Sequence, residues 1–165
     1  MSTAEAGGLP HTLAIDIGGT GLKASVLDET GEMLVKRVRV ATPYPCPPSV
    51  MVEALVKLVK PLPDFTRISI GFPGVVRHGR VITAPHFHDK KWSDYPLAGT
   101  LAKRLGKPAR LLNDAEVQGL GIIRGKGLEV VLTLGTGVGS AVFEDGKLTP
   151  HLELAHHPLR KGMTY

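Results

Sequence analysis

The stretch LAIDIGGTGLKASVL, residues 13–27, constrains the fold more than any other part of the chain. Apolar residues cluster on both sides of the glycines as they do in β-strands, so the glycine turn joins two strands. A Walker phosphate loop and a dinucleotide-binding fingerprint both require a helix after their glycines, and the strand that contains Lys23 excludes both. We therefore expect a tight turn whose amides, from Gly18 to Gly21, converge on an anion.

Two charged residues flank this turn. Asp16 precedes the glycines and Lys23 follows them. A carboxylate beside phosphate groups repels them unless a cation such as Mg²⁺ lies between, so we interpret Asp16 as a ligand for a metal ion or its waters. Lys23 adds positive charge if its side chain faces the turn, but its strand position also allows it to point away. A hairpin with an incidental acidic residue is the alternative.

A second glycine turn repeats the design at LTLGTGVGS, residues 132–140. An apolar strand leads into Gly135, Thr136, Gly137 and Gly139, and a returning strand follows. Two strand–turn–strand loops of this kind predict two lobes that hold one phosphorylated donor from opposite sides.

The stretch LLNDAE, residues 111–116, lies between the two loops. Asn113 and Asp114 are predicted at the carboxyl end of a strand, immediately before a helix, where open α/β sheets bind ligands. Asp114 could accept the proton of an attacking hydroxyl while Asn113 holds a neighbouring hydroxyl, because phosphoryl transfer mainly requires orientation. The alternative is that the pair only caps the helix.

The remaining patterns predict a mixed α/β chain in the order β-β-β-α-β-β-α-β-α-β-β. Ser49 is the expected N-cap of the first helix, and Leu97, Leu101 and Leu105 form the apolar stripe of the second. The run VVLTL, residues 130–134, is expected to be a strand buried on both faces. Trp92 is expected either to line a ligand cleft or to be buried as a core or loop anchor.

Composition excludes several classes of protein. Cys46 is the single cysteine, so a disulfide framework and a cysteine-ligated zinc site are excluded, and a cytoplasmic location is expected. The net charge of +5 comes without a long basic run, so we expect no nucleic-acid partner. No apolar run approaches the roughly 20 residues of a membrane span. His86 and His88 are interpreted as surface or hydrogen-bonding residues rather than as metal ligands.

Five motifs in order, DIGGTGLK, IGFPGVVRHG, LLNDAE, LTLGTGVGSA and ELAH, resemble the ROK family of sugar kinases. The nearest likeness is to its polyphosphate glucokinase branch, through FPGVVRHG, DKKW and LTLGTGVGSA. The resemblance covers residues 12–157 and implies an α/β fold of the actin/hexokinase superfamily. On this interpretation, residues 1–11 are a flexible leader, 12–112 an N-terminal ribonuclease-H-like lobe with a mixed sheet, and 113–165 the opening, incomplete part of a second such lobe.

The resemblance also implies roles for individual residues. It makes Asp114 the catalytic base for the sugar 6-hydroxyl and Asp16 the metal-associated carboxylate. The phosphate-binding residues it implies are Gly18, Gly19, Thr20, Lys23, Gly135, Thr136, Gly137 and Gly139. The sugar-binding residues it implies are Gly71, Asn113, Asp114, Glu153 and His156. Two departures are Ala155, where the family usually has a glycine, and His86, where relatives often carry asparagine.

The function implied is phosphoryl transfer from polyphosphate or ATP to the 6-hydroxyl of glucose or a related hexose, with Mg²⁺ and without zinc. Relatives continue for roughly another hundred residues, so we expect this chain alone to be a poor catalyst. Its expected association is with a missing C-terminal segment or with a second copy as a homodimer. The alternative is a non-catalytic, sugar-binding or regulatory fragment. A DNA-binding repressor is not expected, because too few residues precede the first strand for a helix-turn-helix domain.

Overall fold

The computed structural model describes residues 10–87, 89–134 and 138–150, together with the backbone of 158–160 and 163–164. The helices are α1 Pro48–Val59, α2 Leu97–Leu105 and α3 Asp114–Leu120, with a 3₁₀ turn at Lys90–Trp92. The strands are β1 Thr12–Ile17, β2 Gly21–Leu27, β3 Val38–Ala41, β4 Arg67–Phe72, β5 Val76–Arg77, β6 Arg80–Val81, β7 Ala109–Asn113, β8 Leu128–Leu134, β9 Val138–Glu144, β10 Lys147–Leu148, β11 Pro158–Arg160 and β12 Met163–Thr164.

The main sheet has the strand order β3-β2-β1-β4-β7. Its first three strands are antiparallel neighbours, as the hairpin prediction requires, while β1, β4 and β7 are parallel. The predicted mixed α/β fold is thus confirmed. Since β1, β4 and β7 run in the same direction, their carboxyl ends lie at one edge of the sheet, where Asp16 and Asn113 are found.

The hydrophobic core lies on one face of this sheet. Burial alternates along β1, so Leu13, Ile15 and Ile17 point into the core, and Asp16 belongs to the opposite face. Helices α1 and α2 supply apolar residues to the same core, among them Leu55. On the opposite face, which carries Asp16, α3 contacts β4 and β7, and its first residue, Asp114, lies against Gly71 of β4.

The start of α1 differs from the prediction. The helix begins at Pro48, its N-cap is Pro47, and no side chain caps it. Ser49 is therefore not the N-cap. Proline suits the first turn of a helix because its φ is already helical and its missing N–H would have had no intrahelical acceptor, so the neighbouring prolines fix the start without a polar cap.

The second sheet has the order β10-β9-β8 and packs against α3. A Cβ atom built on Gly119 of α3 would lie only 2.6 Å from a ring carbon of Phe143 on β9. The ring of Phe143 is fully buried. The absence of a side chain at Gly119 therefore lets the helix and the strand approach closely.

The prediction that residues 130–134 are buried on both faces is wrong. Val131 is buried, whereas Val130, Leu132 and Leu134 are 56%, 58% and 83% exposed, and Leu128 is 72% exposed. Side chains alternate along a strand, and within the described residues α3 covers only the face that carries Val131. We call the four exposed side chains, Leu128, Val130, Leu132 and Leu134, the apolar row.

Trp92 is buried in the core. It is 1% exposed, and its ring centroid lies 5.2 Å from that of Phe72 and 5.4 Å from that of Phe87. Its Nε1 donates a 2.9 Å hydrogen bond to the carbonyl oxygen of Cys46. Of the two roles left open for Trp92, the structure supports the core anchor. None of the helices in the described ranges combines the length and apolar character needed to cross a bilayer.

Candidate active site

Asp16, Lys23 and Gly71 lie side by side on three neighbouring strands. Asp16 on β1 is directly opposite Lys23 on β2 and Gly71 on β4. Directly opposed residues share one face of a sheet, and the Lys23 Nζ atom lies 2.9 Å from Asp16 Oδ2. Both side chains remain partly exposed. Lys23 therefore points toward Asp16 rather than away from the predicted phosphate loop.

The glycine turn between β1 and β2 is closed by its own backbone and by one threonine. The Gly18 amide donates to the Gly21 carbonyl oxygen at 3.0 Å, which corrects the expectation that it is free to bind an anion. Thr42 donates its hydroxyl to the Gly18 carbonyl and its amide to the Thr20 carbonyl, at 2.6 and 3.3 Å. Within the described residues, the amides of Gly19 and Thr20 have no protein acceptor.

Asp114 is the first residue of α3, directly after the carboxyl end of β7. A Cβ atom built on Gly71 would lie 3.6 Å from the Asp114 Cα atom, so Gly71 lies directly against Asp114. Burial raises the pKa of the Asp114 carboxyl, and the negative charge of Asp16 raises it further. The nearby His86 acts in the opposite direction on the same pKa. Asp114 thus interacts electrostatically with both Asp16 and His86.

Asn113 holds the backbone that carries Asp114. Its Oδ1 accepts from the Ala115 amide at 2.9 Å, and its Nδ2 donates to the Gly74 carbonyl at 3.1 Å. The Glu116 carboxylate accepts from the Asn113 amide at 2.9 Å, which completes a capping box. The helix-cap interpretation is therefore confirmed for Asn113, whose side chain is largely committed to the fold.

The strand that follows the second glycine loop, β9, starts beside α3. A Cβ atom built on Gly139 would lie 2.9 Å from the Ala115 Cβ atom. Gly139 on β9 therefore lies against Ala115, the residue that follows Asp114 in α3. The structure brings Gly139 to the candidate site. Five other predicted site residues lie outside the described residues: Gly135, Thr136, Gly137, Glu153 and His156.

Three residues near the site were not assigned a role by the sequence. Thr42 closes the glycine turn, and Arg39 lies over Gly21, where a Cβ atom would be 3.2 Å from the Arg39 Nε atom. No local sequence motif marks either residue, since both reach the turn only because β3 pairs with β2. Glu116 completes the cap of Asn113, and the pattern N-x-x-E could have revealed it.

His86 also lies against the glycine turn between β1 and β2, at Gly19. A Cβ atom built on Gly19 would be 3.3 Å from the His86 Cβ atom. His86 is thus next to the glycine turn and, through its effect on the Asp114 pKa, also near the carboxylate. In the described ranges no cluster of three or more histidine, cysteine, aspartate or glutamate side chains could hold a metal ion by itself.

Comparison with protein families and curated proteins gives one consistent result. Residues 12–152 match the family described as the ROK family. Over 154 residues the chain is 37% identical to a polyphosphate glucokinase from Mycobacterium tuberculosis, covering 88% of this chain and 58% of that protein. It is 33% identical to an N-acetylmannosamine kinase from Citrobacter koseri over 142 residues, 83% of this chain and 49% of that protein.

Solved structures agree with this result. An inorganic polyphosphate/ATP-glucomannokinase from an Arthrobacter species superposes with a TM-score of 0.80 and 37% identity, covering 91% of this chain and 64% of that one. A ROK family glucokinase from Streptomyces griseus, in complex with glucose and AMPPNP, superposes with a TM-score of 0.78 and 30% identity, covering 93% of this chain and 52% of that one. The chain thus spans about half to two thirds of the length of these relatives.

Proposed function

This chain belongs to the ROK family, and on that premise we propose that it forms the sugar-phosphorylating cleft of a glucokinase-type enzyme. The reaction transfers a phosphoryl group from polyphosphate or ATP to the 6-hydroxyl of glucose or a related hexose. The observation that carries the proposal is Asp114, a carboxyl group of raised pKa at the carboxyl end of β7, beside Gly71 and in electrostatic contact with Asp16. Such perturbed carboxyl groups in clefts are typical of acid–base sites.

Asp114 acts as the base in this proposal. As the sugar hydroxyl oxygen bonds to phosphorus, its proton passes to the Asp114 carboxylate, and the bond from phosphorus to the bridging oxygen of the donor breaks. The released product is ADP or a polyphosphate shortened by one unit. Burial raises the Asp114 pKa, and a higher pKa makes a carboxylate a better proton acceptor at neutral pH.

The donor is held by the turn between β1 and β2 and by Lys23. The amides of Gly19 and Thr20 are available to phosphate oxygens within the described residues, and Lys23 Nζ lies beside the turn on the same sheet face as Asp16. Gly139, next to Ala115, supports the assignment of the second loop to the opposite side of the donor. Gly135, Thr136 and Gly137 complete this second loop in the proposal.

A magnesium ion fits the acidic residues of this cleft. Mg²⁺ is usually held by one or two carboxylates, with waters and substrate phosphates completing its shell. Asp16 is partly exposed, uses Oδ2 for Lys23, and lies near enough to Asp114 to raise its pKa. Asp16 would hold the ion or its waters, and the ion would neutralise charge on the phosphate groups.

The sugar is placed on the Asp114 side of the cleft. Gly71 has no side chain, and the backbone of Asp114 packs directly against it. Asn113 contributes its second Nδ2 hydrogen, since its other polar groups cap α3 and bind Gly74. Glu153 and His156 complete the sugar site in the proposal.

A second function is favoured by the apolar row of β8. Four large apolar side chains exposed on one strand are unusual for the surface of a finished domain, and a lobe left open there would bind sugar without catalysing transfer. On this alternative the chain is a non-catalytic, sugar-binding or regulatory unit until the apolar row is covered, either by further chain or by a second copy.

The test is an assay of the purified protein with glucose, mannose and fructose against ATP, GTP and polyphosphate, with Mg²⁺ present. We expect the chain alone to form hexose 6-phosphate only slowly, with glucose and either ATP or polyphosphate, and to form it faster when a segment that completes the second lobe is co-expressed. Asp114→Asn should abolish the transfer in both preparations. Sugar binding without transfer by any donor would contradict the kinase proposal and favour the alternative. Loss of both binding and transfer would contradict both functions.

A further inference from the structure

We propose that Arg39 binds the donor, at the phosphate groups that follow the one being transferred. The inference rests on the proposed kinase function and extends it to a residue on the outer strand of the sheet. Three observations support the inference: the register of Arg39 with Lys23, the approach of the Arg39 guanidinium to Gly21, and the unneutralised charge of Arg39.

The register aligns three charged residues across the sheet. Arg39 on β3 is directly opposite Lys23 on β2, and Lys23 is directly opposite Asp16 on β1. All three therefore share the face that carries the candidate site. Neighbouring strands lie about 4.8 Å apart, so the Cα atom of Arg39 lies roughly 10 Å from that of Asp16, in line with it and Lys23.

The Arg39 side chain leans from this row toward the glycine turn. A Cβ atom built on Gly21 would lie 3.2 Å from Arg39 Nε and 3.4 Å from its Nη2. A side chain at position 21 would therefore have to displace the guanidinium. Gly21 allows the guanidinium to lie against the end of the turn, two residues from the free amide of Gly19.

The charges of the row do not cancel. Asp16 is bonded to Lys23, so this pair is neutral. Within the described residues, Arg39 has no carboxylate within salt-bridge distance and no hydrogen-bond acceptor. An unneutralised guanidinium beside a turn with free amides attracts an anion, and its planar fork of donors suits phosphate oxygens.

A chain of phosphate groups fits this arrangement better than a single phosphate does. A phosphate beside Asp114 lies at the Asp16 end of the row, next to Gly71, whereas the Arg39 guanidinium lies two strands away, at Gly21 on β2. Only an anion with further phosphates behind the first reaches from one end to the other. Arg39 therefore distinguishes polyphosphates and nucleoside triphosphates from inorganic phosphate.

The alternative role for Arg39 is structural. Exposed edge strands often carry charged residues that prevent pairing with other chains, and a guanidinium packed on Gly21 could simply stabilise the turn. A structural role would affect every anion bound at the turn equally, whereas a donor-binding role affects only the longer ones. The comparison of two anions separates these roles.

The experiment measures binding of inorganic phosphate and of inorganic tripolyphosphate by isothermal titration calorimetry, with Mg²⁺ present. The variants are Arg39→Gln, Arg39→Lys and the control Arg67→Gln. Arg67 is on the same face of the same sheet, opposite Thr12 at the far ends of β4 and β1, and bonds Thr12 rather than the turn. Circular dichroism confirms that each variant is folded.

We expect Arg39→Gln to raise the Kd of tripolyphosphate at least about fivefold, since a charged hydrogen bond is lost, and to change the Kd of phosphate less than about twofold. Arg39→Lys should fall in between, and Arg67→Gln should change neither. An equal change for both anions, or none, would overturn the Arg39 proposal while leaving the kinase proposal intact. If the wild-type protein binds neither anion, the donor site itself is wrong and both proposals fail.

Discussion

Replacing Gly119 by alanine tests the packing that holds Asp114 in place. Gly119 lies on α3, the helix that begins with Asp114, and contacts Phe143 on β9. An added Cβ would lie 2.6 and 2.7 Å from two ring carbons of a fully buried side chain. Alanine is favoured over glycine in a helix by up to about 1 kcal/mol, whereas overpacking a core costs about 1–3 kcal/mol. The steric term is larger, so we expect a net loss of about 1 kcal/mol in the free energy of unfolding.

Gly99 on α2 is the matched control, because it is a helical glycine with nothing within 4 Å of a built Cβ atom. Gly99→Ala should therefore stabilise the protein by about 0.5–1 kcal/mol through the conformational term alone. Urea unfolding followed by circular dichroism measures both variants. Opposite signs are the expected result. If Gly119→Ala stabilised the protein as much as Gly99→Ala does, the close contact of α3 with β9 would be refuted.

Three further predictions concern the site, the core and the apolar row. Burial and the charge of Asp16 raise the pKa of Asp114, so the native state loses stability as pH rises through that pKa. At pH 7, Asp114→Asn should therefore unfold at a urea concentration equal to or higher than that of wild type. A clear loss of stability in this variant would contradict the raised pKa. Trp92→Phe removes the hydrogen bond to the Cys46 carbonyl and leaves a cavity, which should cost about 2–4 kcal/mol in thermal unfolding; an unchanged Tm would contradict the buried position. Leu132→Glu places a charge in the apolar row and should reduce self-association in sedimentation velocity, whereas an unchanged distribution, or a monomeric wild type, would show that the row does not pair copies.

Local sequence patterns predicted most of the strands and two features of the site. The glycine turn between two strands follows from residues 13–27 alone, and β1 and β2 pair around it as expected. Asn113 and Asp114 are expected at the end of a strand, immediately before a helix; in the structure Asn113 ends β7 and Asp114 already begins α3. These features depend on residues that are neighbours in the sequence, which is why patterns of spacing reveal them.

Contacts between distant segments could not be predicted in the same way. Arg39 and Thr42 reach the glycine turn because β3 pairs with β2, and no spacing in the sequence encodes their side-chain contacts. The exposure of Leu132 depends on which elements cover each face of β8, whereas its apolar neighbours indicated burial. The start of α1 at Pro48 shows a similar limit, since proline replaced the polar cap expected at Ser49.

The most direct test of the central claim is the kcat of Asp114→Asn for glucose, measured with polyphosphate or ATP, whichever donor the wild-type protein uses faster. If Asp114 receives the proton of the sugar hydroxyl, its loss should lower kcat at least about 10²-fold, the usual scale for general-base catalysis. The KM for glucose should stay within about twofold, because the substitution keeps the shape of the side chain. A variant whose kcat remains within about threefold of wild type would contradict the assignment of Asp114 as the catalytic base.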